Sequence, residues 1–406
     1  MKDDLKTKIK QNIDERKLVN LIEKLVAIPS YPGVQNQETK VAQCIKEVFT
    51  AHGIDAEIQP VVNGRCNIVA RLTGSGKGNS LMLTGHMDTV PPYDMKDDPF
   101  KTKTKDGRLY GRGVVDMKGA LACMIMAMIA IKNSGIELQG DLLFAGVIDE
   151  EDKSEGTRAL LKSGLKTDGA IVGEPTDLEI CIAHRGLEWL EFQFIGKAVH
   201  GGKQKEGINA IEKAAKFMQR IEMELMPKIE KRVHPIAGNS SMNYGFIKGG
   251  TQPSTVAGDC ILQIDRRWIP GEKFENIIGE YQNMLDVLQE EDPKFVGEMK
   301  IMNESLMEEG FIHEAMEIDS EHPLVKAVET SILKVTENNP VLTSFTAWTD
   351  GGLLSSYGNI PTIVLGPGNL ESAHSAEECI DLCQLVPAAL IYAEAALRFC
   401  GYSTKV

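Results

Sequence analysis

Apolar residues follow two different rhythms along this chain, and the rhythm changes twice. From Leu18 to about Arg185, segments with apolar residues at helical spacing alternate with short continuous apolar runs, among them Leu81-Met82-Leu83, Leu142 to Val147 and Ala170-Ile171-Val172. Such runs, bounded by turn-forming residues, read as buried strands. Met117 to Lys132 is nearly all apolar and is the clearest helix. Alternation of this kind predicts an α/β domain with a doubly wound, mostly parallel sheet and helices on both faces.

The middle of the chain reads differently. Leu190, Phe192 and Phe194 alternate with Glu191 and Gln193, as in a half-buried strand, and Ile208, Ile211, Ala215, Met218 and Ile221 recur at helical spacing. Strand-like Ser241 to Lys248 and Asp259 to Asp265 follow, then a helix with Phe274, Ile277, Ile278, Tyr281, Met284 and Leu288, then strand-like Lys294 to Ile301. The order β-α-β-β-α-β is that of a ferredoxin-like unit. From about Pro323 the first rhythm returns, with a helix at Leu324 to Val335, a strand at Thr362 to Leu365 and an Ala/Leu-rich terminal helix. The pattern predicts a larger domain over 1–185 and 317–406, the one that ends its strands in candidate chemistry, and a smaller inserted α+β domain over 186–316, which on its two connections could swing as a lid or pair with a second copy as a dimerisation domain. The connections fall near Gly186 and in Met307 to Asp319.

Composition narrows the function classes. The chain has 406 residues, 42% apolar and 25% charged, an ordinary globular mix. A net charge of -14 without a clustered Lys/Arg stripe argues against nucleic acid or an anionic membrane as partner. Met1 to Lys17 lacks the apolar core of a signal peptide, and Leu121 to Ile131 is shorter than the roughly 20 residues of a membrane helix. The eight cysteines are scattered without a Cys-x-x-Cys, which fits reduced thiols in a cytoplasmic protein, although Cys379 and Cys383 share a possible helix face. Gly74-Ser75-Gly76-Lys77-Gly78 lacks the spacing and the Ser/Thr of a phosphate loop and reads as a turn. His313-Glu314 lacks the second histidine of a zinc-protease helix, because that position is Glu317.

The candidate chemistry lies where the apolar runs end. His86 and Asp88 close one run, Asp149-Glu150-Glu151 another and Glu174 a third; Asp116 precedes the apolar helix, and His374 follows the late strand. Open α/β folds bind ligands at the carboxyl ends of their strands. Each residue also has a plain reading. Residues two apart on a strand share a face, so Asp88 can hydrogen-bond the ring nitrogen of His86 as a structural pair or as the orienting partner of a ligand. Asp116 could cap a helix and His374 could be a surface histidine. Three acids at the end of a buried strand, however, are costly without a cation. Jointly, two histidines and several carboxylates suit a pair of zinc-like ions with one bridging carboxylate.

At these residues the chain resembles the family of dinuclear zinc aminoacylases, acetylornithine deacetylases, succinyl-diaminopimelate desuccinylases and carboxypeptidase G. The segments that carry the resemblance are Gly85-His86-Met87-Asp88, Gly111 to Asp116 with Met117-Lys118-Gly119, Asp149-Glu150-Glu151, Gly173-Glu174-Pro175, and the late Gly366-Pro367-Gly368 with His374, all in the family's order. The resemblance implies that His86, Asp116 and Glu174 hold one ion and Asp116, Glu151 and His374 the other, with zinc the first choice and cobalt or manganese alternatives. It implies that Asp88 orients His86, that Glu150 is the general base, and that His200, in Gly196 to Gly201, reaches a partner subunit's site in a homodimer. Arg267, in Asp265 to Gly271, and Arg185, near the domain junction, become candidates for binding a substrate carboxylate. Ser254 and Ala257 stand where the family commonly has Asn and Pro after Gly249-Gly250, a departure in the substrate-recognition segment. The implied activity is removal of the acyl group from a small N-acyl amino acid. A metallo-carboxypeptidase or dipeptidase of the same family, or a non-catalytic binding protein that kept the fold, are the alternatives.

Overall fold

The computed structural model describes residues 2–308 and 310–404, so that Met1 and Glu309, within two segments considered above, lie outside it. The chain divides into two compact units, one formed by Met1–Ala183, Met316–Phe345 and Thr349–Val406, the other by His184–Ala315 and Thr346–Trp348. Along the chain the principal strands are β1 (Asp55–Val62), β2 (Arg65–Leu72), β3 (Leu81–His86), β4 (Leu142–Val147), β5 (Gly169–Val172), β6 (Ile180–His184), β7 (Gly186–Ile195), β8 (Ser241–Gly249), β9 (Asp259–Trp268), β10 (Gly297–Ile301), β11 (Met316–Glu317), β12 (Leu342–Phe345) and β13 (Thr362–Val364).

In the first unit the described residues form a nine-stranded sheet in the order β1-β2-β4-β3-β5-β13-β6-β11, with β12 on β6. Only its centre is parallel: β4, β3, β5 and β13 run together, whereas β1 and β2 on one side and β6 on the other are antiparallel. The expected mostly parallel sheet is therefore a mixed one. One cause is local: Asn63 and Gly64 have φ of 47° and 79°, the two left-handed residues of a tight hairpin turn, which forces β2 back along β1. The central strands are buried along their whole length. The helix Lys118–Ser134 is buried from Lys118 to Ile131 and ends at Gly135, whose φ of 76° closes the last turn. It packs on the helices Glu15–Val26 and Leu382–Cys400.

Leu382–Cys400 is long and apolar enough by composition to cross a membrane. Its contacts are those of a core helix: the Tyr392 hydroxyl donates to the Leu365 carbonyl at 2.7 Å, and Glu394 accepts from Lys334. Cys379 and Cys383 do not share a helix face, since Cys379 lies in the short strand Cys379–Asp381 that precedes this helix.

The second unit has the ferredoxin-like order. β8, β9, β7 and β10 lie side by side in that order, all antiparallel, with the helices Ala210–Arg220 and Phe274–Glu291 contributing to one core. Leu190, Phe192 and Phe194 point into it, as their alternation predicts. The first helix buries Ala210, Lys213, Ala214 and Phe217 rather than the stripe through Ile211 and Ala215, and Ile211 is exposed. Aromatic packing sets that rotation: the Phe217 ring lies 4.8 Å from Phe192 and 5.5 Å from Phe194, while Lys213 reaches out to Asp292 at 2.5 Å. β10 begins at Gly297, later than expected, because Asp292 closes a turn by accepting from the backbone of Lys294 and Phe295.

Replacing Phe217 by Ala removes the ring on which both strands' phenylalanines pack. Phe217→Ala is expected to destabilise the second unit by about 3–5 kcal/mol, read as a shifted denaturant midpoint of that unit's transition.

Candidate metal centre

Strand register gathers the acids. In the parallel pairing of β3 with β4, His86 stands opposite Val147, and Thr84 stands opposite Val172 of β5, which in turn stands opposite Val364 of β13. Asp149 to Glu151, Glu174 and the Gly366-Pro367-Gly368 turn leading to His374 therefore leave the same edge of the sheet. At Gly366 a Cβ would lie 2.3 Å from the Gly173 carbonyl oxygen and 2.5 Å from that of Glu174, so only glycine lets these two exits lie together. Asp116 arrives from the other side, in the loop before Lys118–Ser134. It does not cap that helix: Met117 holds the cap position, without a side-chain bond.

The side chains converge as follows. His86 Nε2 lies 2.9 Å from Asp116 Oδ1 and 3.7 Å from Glu174 Oε1. His374 Nε2 lies 3.1 Å from Asp116 Oδ2 and 3.1 Å from Glu151 Oε1. Asp116 thus stands between the two imidazoles, one carboxylate oxygen toward each. His86, Asp116, Glu174 and Asp88 are buried, whereas His374 is half exposed. His374 has φ of 59°, an unusual conformation for a side-chain-bearing residue and one often kept at functional sites.

Asp88 acts differently from the simple strand-face expectation. The Nδ1 of His86 contacts the Asp88 backbone carbonyl at 3.0 Å, and the carboxylate Oδ1 stands off at 3.6 Å. Its Oδ2 accepts from the Glu151 backbone N–H at 3.0 Å. Asp88 therefore holds the ring by its backbone and the Glu151 loop by its side chain.

Concentrating carboxyls in so dry a place perturbs them all. Burial pushes the carboxyls of Glu174 and Glu150 well above their ordinary range, and the charges of neighbouring acids push them further, against the opposing pull of His86. Burial also raises Glu151, with Asp116 beside it. Against the upward effect of its own burial, hydrogen bonds from His374 and His86 hold Asp116 far below the usual carboxylate range. Donating to the carboxylates of Asp116 and Glu151 lifts His374 to about 10.

The donor set fits divalent cations. Donor atoms of His86, Asp116 and Glu151 lie within 4.8 Å of one another. Glu174 Oε1 and Asp88 Oδ1 are buried without a hydrogen-bond partner. Imidazole nitrogen and carboxylate oxygen are zinc-type donors, and buried oxygens of this kind are otherwise costly. Glu150 directly precedes Glu151 in the chain, and its buried carboxyl feels the charges of His86, Glu174 and Glu151.

Two supporting residues escaped the sequence reading. Arg65 bridges Glu38 at 2.5 Å and Asp149 Oδ1 at 2.7 Å, fixing the first acid of the triplet, whose φ is 71°. A charged residue opening a largely buried strand was its only signal. Asp350 precedes a Gly-Gly pair and reads as a helix cap, but its carboxylate is buried and accepts from the Thr157 hydroxyl at 2.7 Å.

The remaining candidates belong to the second unit. Arg267 Nε lies 3.1 Å from Asp265 Oδ2. Arg185 donates to the Asn239 carbonyl at 3.3 Å and to the Ser241 hydroxyl at 3.2 Å, and Ser241 stands opposite Arg267 across β8 and β9. The two arginines are neighbours, each only partly exposed. Arg266, between them and the core, is buried and bound to Glu272 at 3.1 Å. His200 is exposed; its Nδ1 accepts from the Gly202 backbone N–H at 3.1 Å, leaving Nε2 for another partner.

Comparison with known proteins places these residues in context. Residues 82–398 match the model of peptidase family M20/M25/M40. The N-formyl-4-amino-5-aminomethyl-2-methylpyrimidine deformylase of Bacillus subtilis is 31% identical, covering 98% of this chain and 97% of that protein. The acetylornithine deacetylase of Photorhabdus laumondii is 30% identical, over 96% and 99%. Among solved structures, aminopeptidase PepT from Bacillus cereus has a TM-score of 0.78 at 21% identity, covering 95% of this chain and 99% of that one. A dinuclear metal-binding M20 peptidase from Bacillus subtilis has a TM-score of 0.69 at 16% identity, over 94% and 97%.

In metal-stripped protein the raised pKa of His374 gives a pH signature. With a folded value of about 10 against an ordinary 6.5, its stabilisation is complete below about pH 6.5 and is lost as pH rises through about 10. The melting-temperature gap between wild type and His374→Ala should therefore shrink from pH 6 to pH 10. A gap that stays constant or widens contradicts the assignment.

Proposed function

Since the chain belongs to peptidase family M20/M25/M40, and so is a metal-dependent hydrolase of amide bonds, we propose that it removes the acyl group from a small N-acyl amino acid. The observation that carries this reading is the convergence of His86, Asp116, Glu174, Glu151 and His374, beside which Glu150 is a buried carboxyl held well above its ordinary range and left, in this assignment, to act as a base. His86, Asp116 and Glu174 would hold one divalent ion and Asp116, Glu151 and His374 a second, zinc in first place with cobalt or manganese as alternatives. Such ions supply the Lewis acidity that makes a water nucleophilic near neutral pH. Glu150 then takes the proton of the attacking water and delivers it to the leaving amine nitrogen. Asp88 keeps His86 and the Glu151 loop in place.

Recognition falls to the second unit. Arg267 and Arg185 would grip the substrate carboxylate by paired N–H donors, which matches an amino-acid leaving group. His200, with Nε2 free of its local bond, would reach the acyl oxygen in a partner subunit's site. A homodimer through β8 is supported by that strand's place at the edge of its sheet and by exposed Phe246 and Ile247 upon it. The eight free thiols fit a cytoplasmic setting.

A second reading has its own support. The deformylase relative suggests an N-formyl aminomethylpyrimidine, which would leave both arginines without a substrate carboxylate. A turnover screen of N-acetyl and N-succinyl amino acids, dipeptides and N-formyl aminomethylpyrimidine, each with zinc, cobalt and manganese, separates the readings. Preference for a carboxylate-free substrate overturns the first.

Glu150→Ala should keep the fold and the metal while turnover falls by about 10²–10⁴-fold; an active variant refutes the base assignment. For the shared site, mixing His200→Ala chains with Glu150→Ala chains should restore activity, because a heterodimer would hold one intact site. No recovery after demonstrated subunit exchange means that His200 acts in its own chain or not at all.

A further inference from the structure

Four residues after His374 the chain buries a carboxylate that the reaction does not use. Glu378 is 1% exposed. Its Oε1 accepts the backbone N–H groups of Gly113, Val115 and Asp116 at 2.9, 3.1 and 3.3 Å, and its Oε2 accepts from Arg112 Nη1 at 2.5 Å. Its own carbonyl accepts from the Gly111 N–H at 3.2 Å. Side chain and carbonyl of this one residue thereby fasten the 111–116 loop, which delivers Asp116, to the segment that delivers His374. The short antiparallel pairing of Tyr110 with Cys379 joins the two segments at one end, but the loop itself, with Gly111 and Gly113 at φ of 154° and 86°, has no ladder of its own. A neutral helix cap or a simple core ion pair would need one of these bonds, not five.

We infer that Glu378 is a positioning residue that sets the separation of Asp116 from His374, and with it the affinity of the ion these two would share. The inference rests on the metal reading above. A charged acceptor suits this role because bonds from N–H to a carboxylate are about twice as strong as neutral ones, and between the Tyr110–Cys379 pairing and the helix at Lys118 it is this carboxylate that gathers three N–H donors of the loop.

The test is cobalt binding to metal-stripped wild type, Glu378→Gln and Glu378→Asp, followed by competition with a chelator and by the visible ligand-field spectrum. Glu378→Gln keeps the size but loses the charge and turns an amide N–H₂ toward Arg112. Glu378→Asp keeps the charge but draws the oxygens back. The variants should bind the weaker ion about 10–100-fold less tightly, the range for partners that orient metal ligands, with an altered spectrum and with Asp between wild type and Gln. A purely structural role would lower the melting temperature of the stripped protein and leave affinity and spectrum unchanged; affinity within about two-fold of wild type overturns the inference. Hydrogen exchange on wild type needs no variant: cobalt should slow the amides of Gly113, Val115 and Asp116 together with that of Gly111, and unchanged exchange there overturns the inference even if both variants fail to fold. Wild type that takes up no cobalt overturns the metal reading as well.

Discussion

Crowding of negative charge at the carboxyl ends of four parallel strands is the constraint on which the rest of the first unit depends. Parallel pairing puts His86, the Asp149 to Glu151 triplet, Glu174 and the turn before His374 on one edge. Repulsion between those carboxyls, and the cost of drying them, push apart what the sheet pushes together. Imidazoles offset part of that cost, and Asp116 gains two of them. They do not reach every oxygen, since Glu174 Oε1 and Asp88 Oδ1 stay without hydrogen-bond partners. A divalent cation is the charge that balances such a site.

The surroundings are organised to hold the acids still rather than to neutralise them. Arg65 ties Asp149 to Glu38, Asp88 ties the Glu151 backbone to the end of β3, and Glu378 ties the Asp116 loop to the His374 segment. Each tie joins segments distant in sequence, so the site's geometry is a property of the folded unit. Gly366 contributes by absence, because any side chain there would collide with the backbone on either side of Glu174.

Legibility in the sequence followed the range of the interactions. Buried strands could be read because their apolar runs are continuous, and the second unit because Leu190, Phe192 and Phe194 alternate so cleanly. The ligand candidates could be picked out because they sit at the ends of such runs, with Asp116 just ahead of the apolar helix. The antiparallel margins of the sheet were missed, as strand direction depends on pairing and not on composition, although the Asn63-Gly64 turn announced one of them. The face of the helix Ala210–Arg220 was misjudged because Phe217 outweighs the aliphatic residues beside it. The roles of Arg65, Asp350 and Glu378 could not be read locally, since their partners lie 27 to 266 positions away. Asp88 was found, but for a side-chain bond to His86 that its backbone makes instead.

Calorimetric titration of metal-stripped protein with zinc tests the central claim most directly. If strand-end carboxylates are gathered to bind cations, heat should be released until about two equivalents per chain are bound, and Asp116→Ala should lose both sites together because that carboxylate faces both histidines. Uptake of no zinc, or two sites that survive Asp116→Ala intact, would contradict the account.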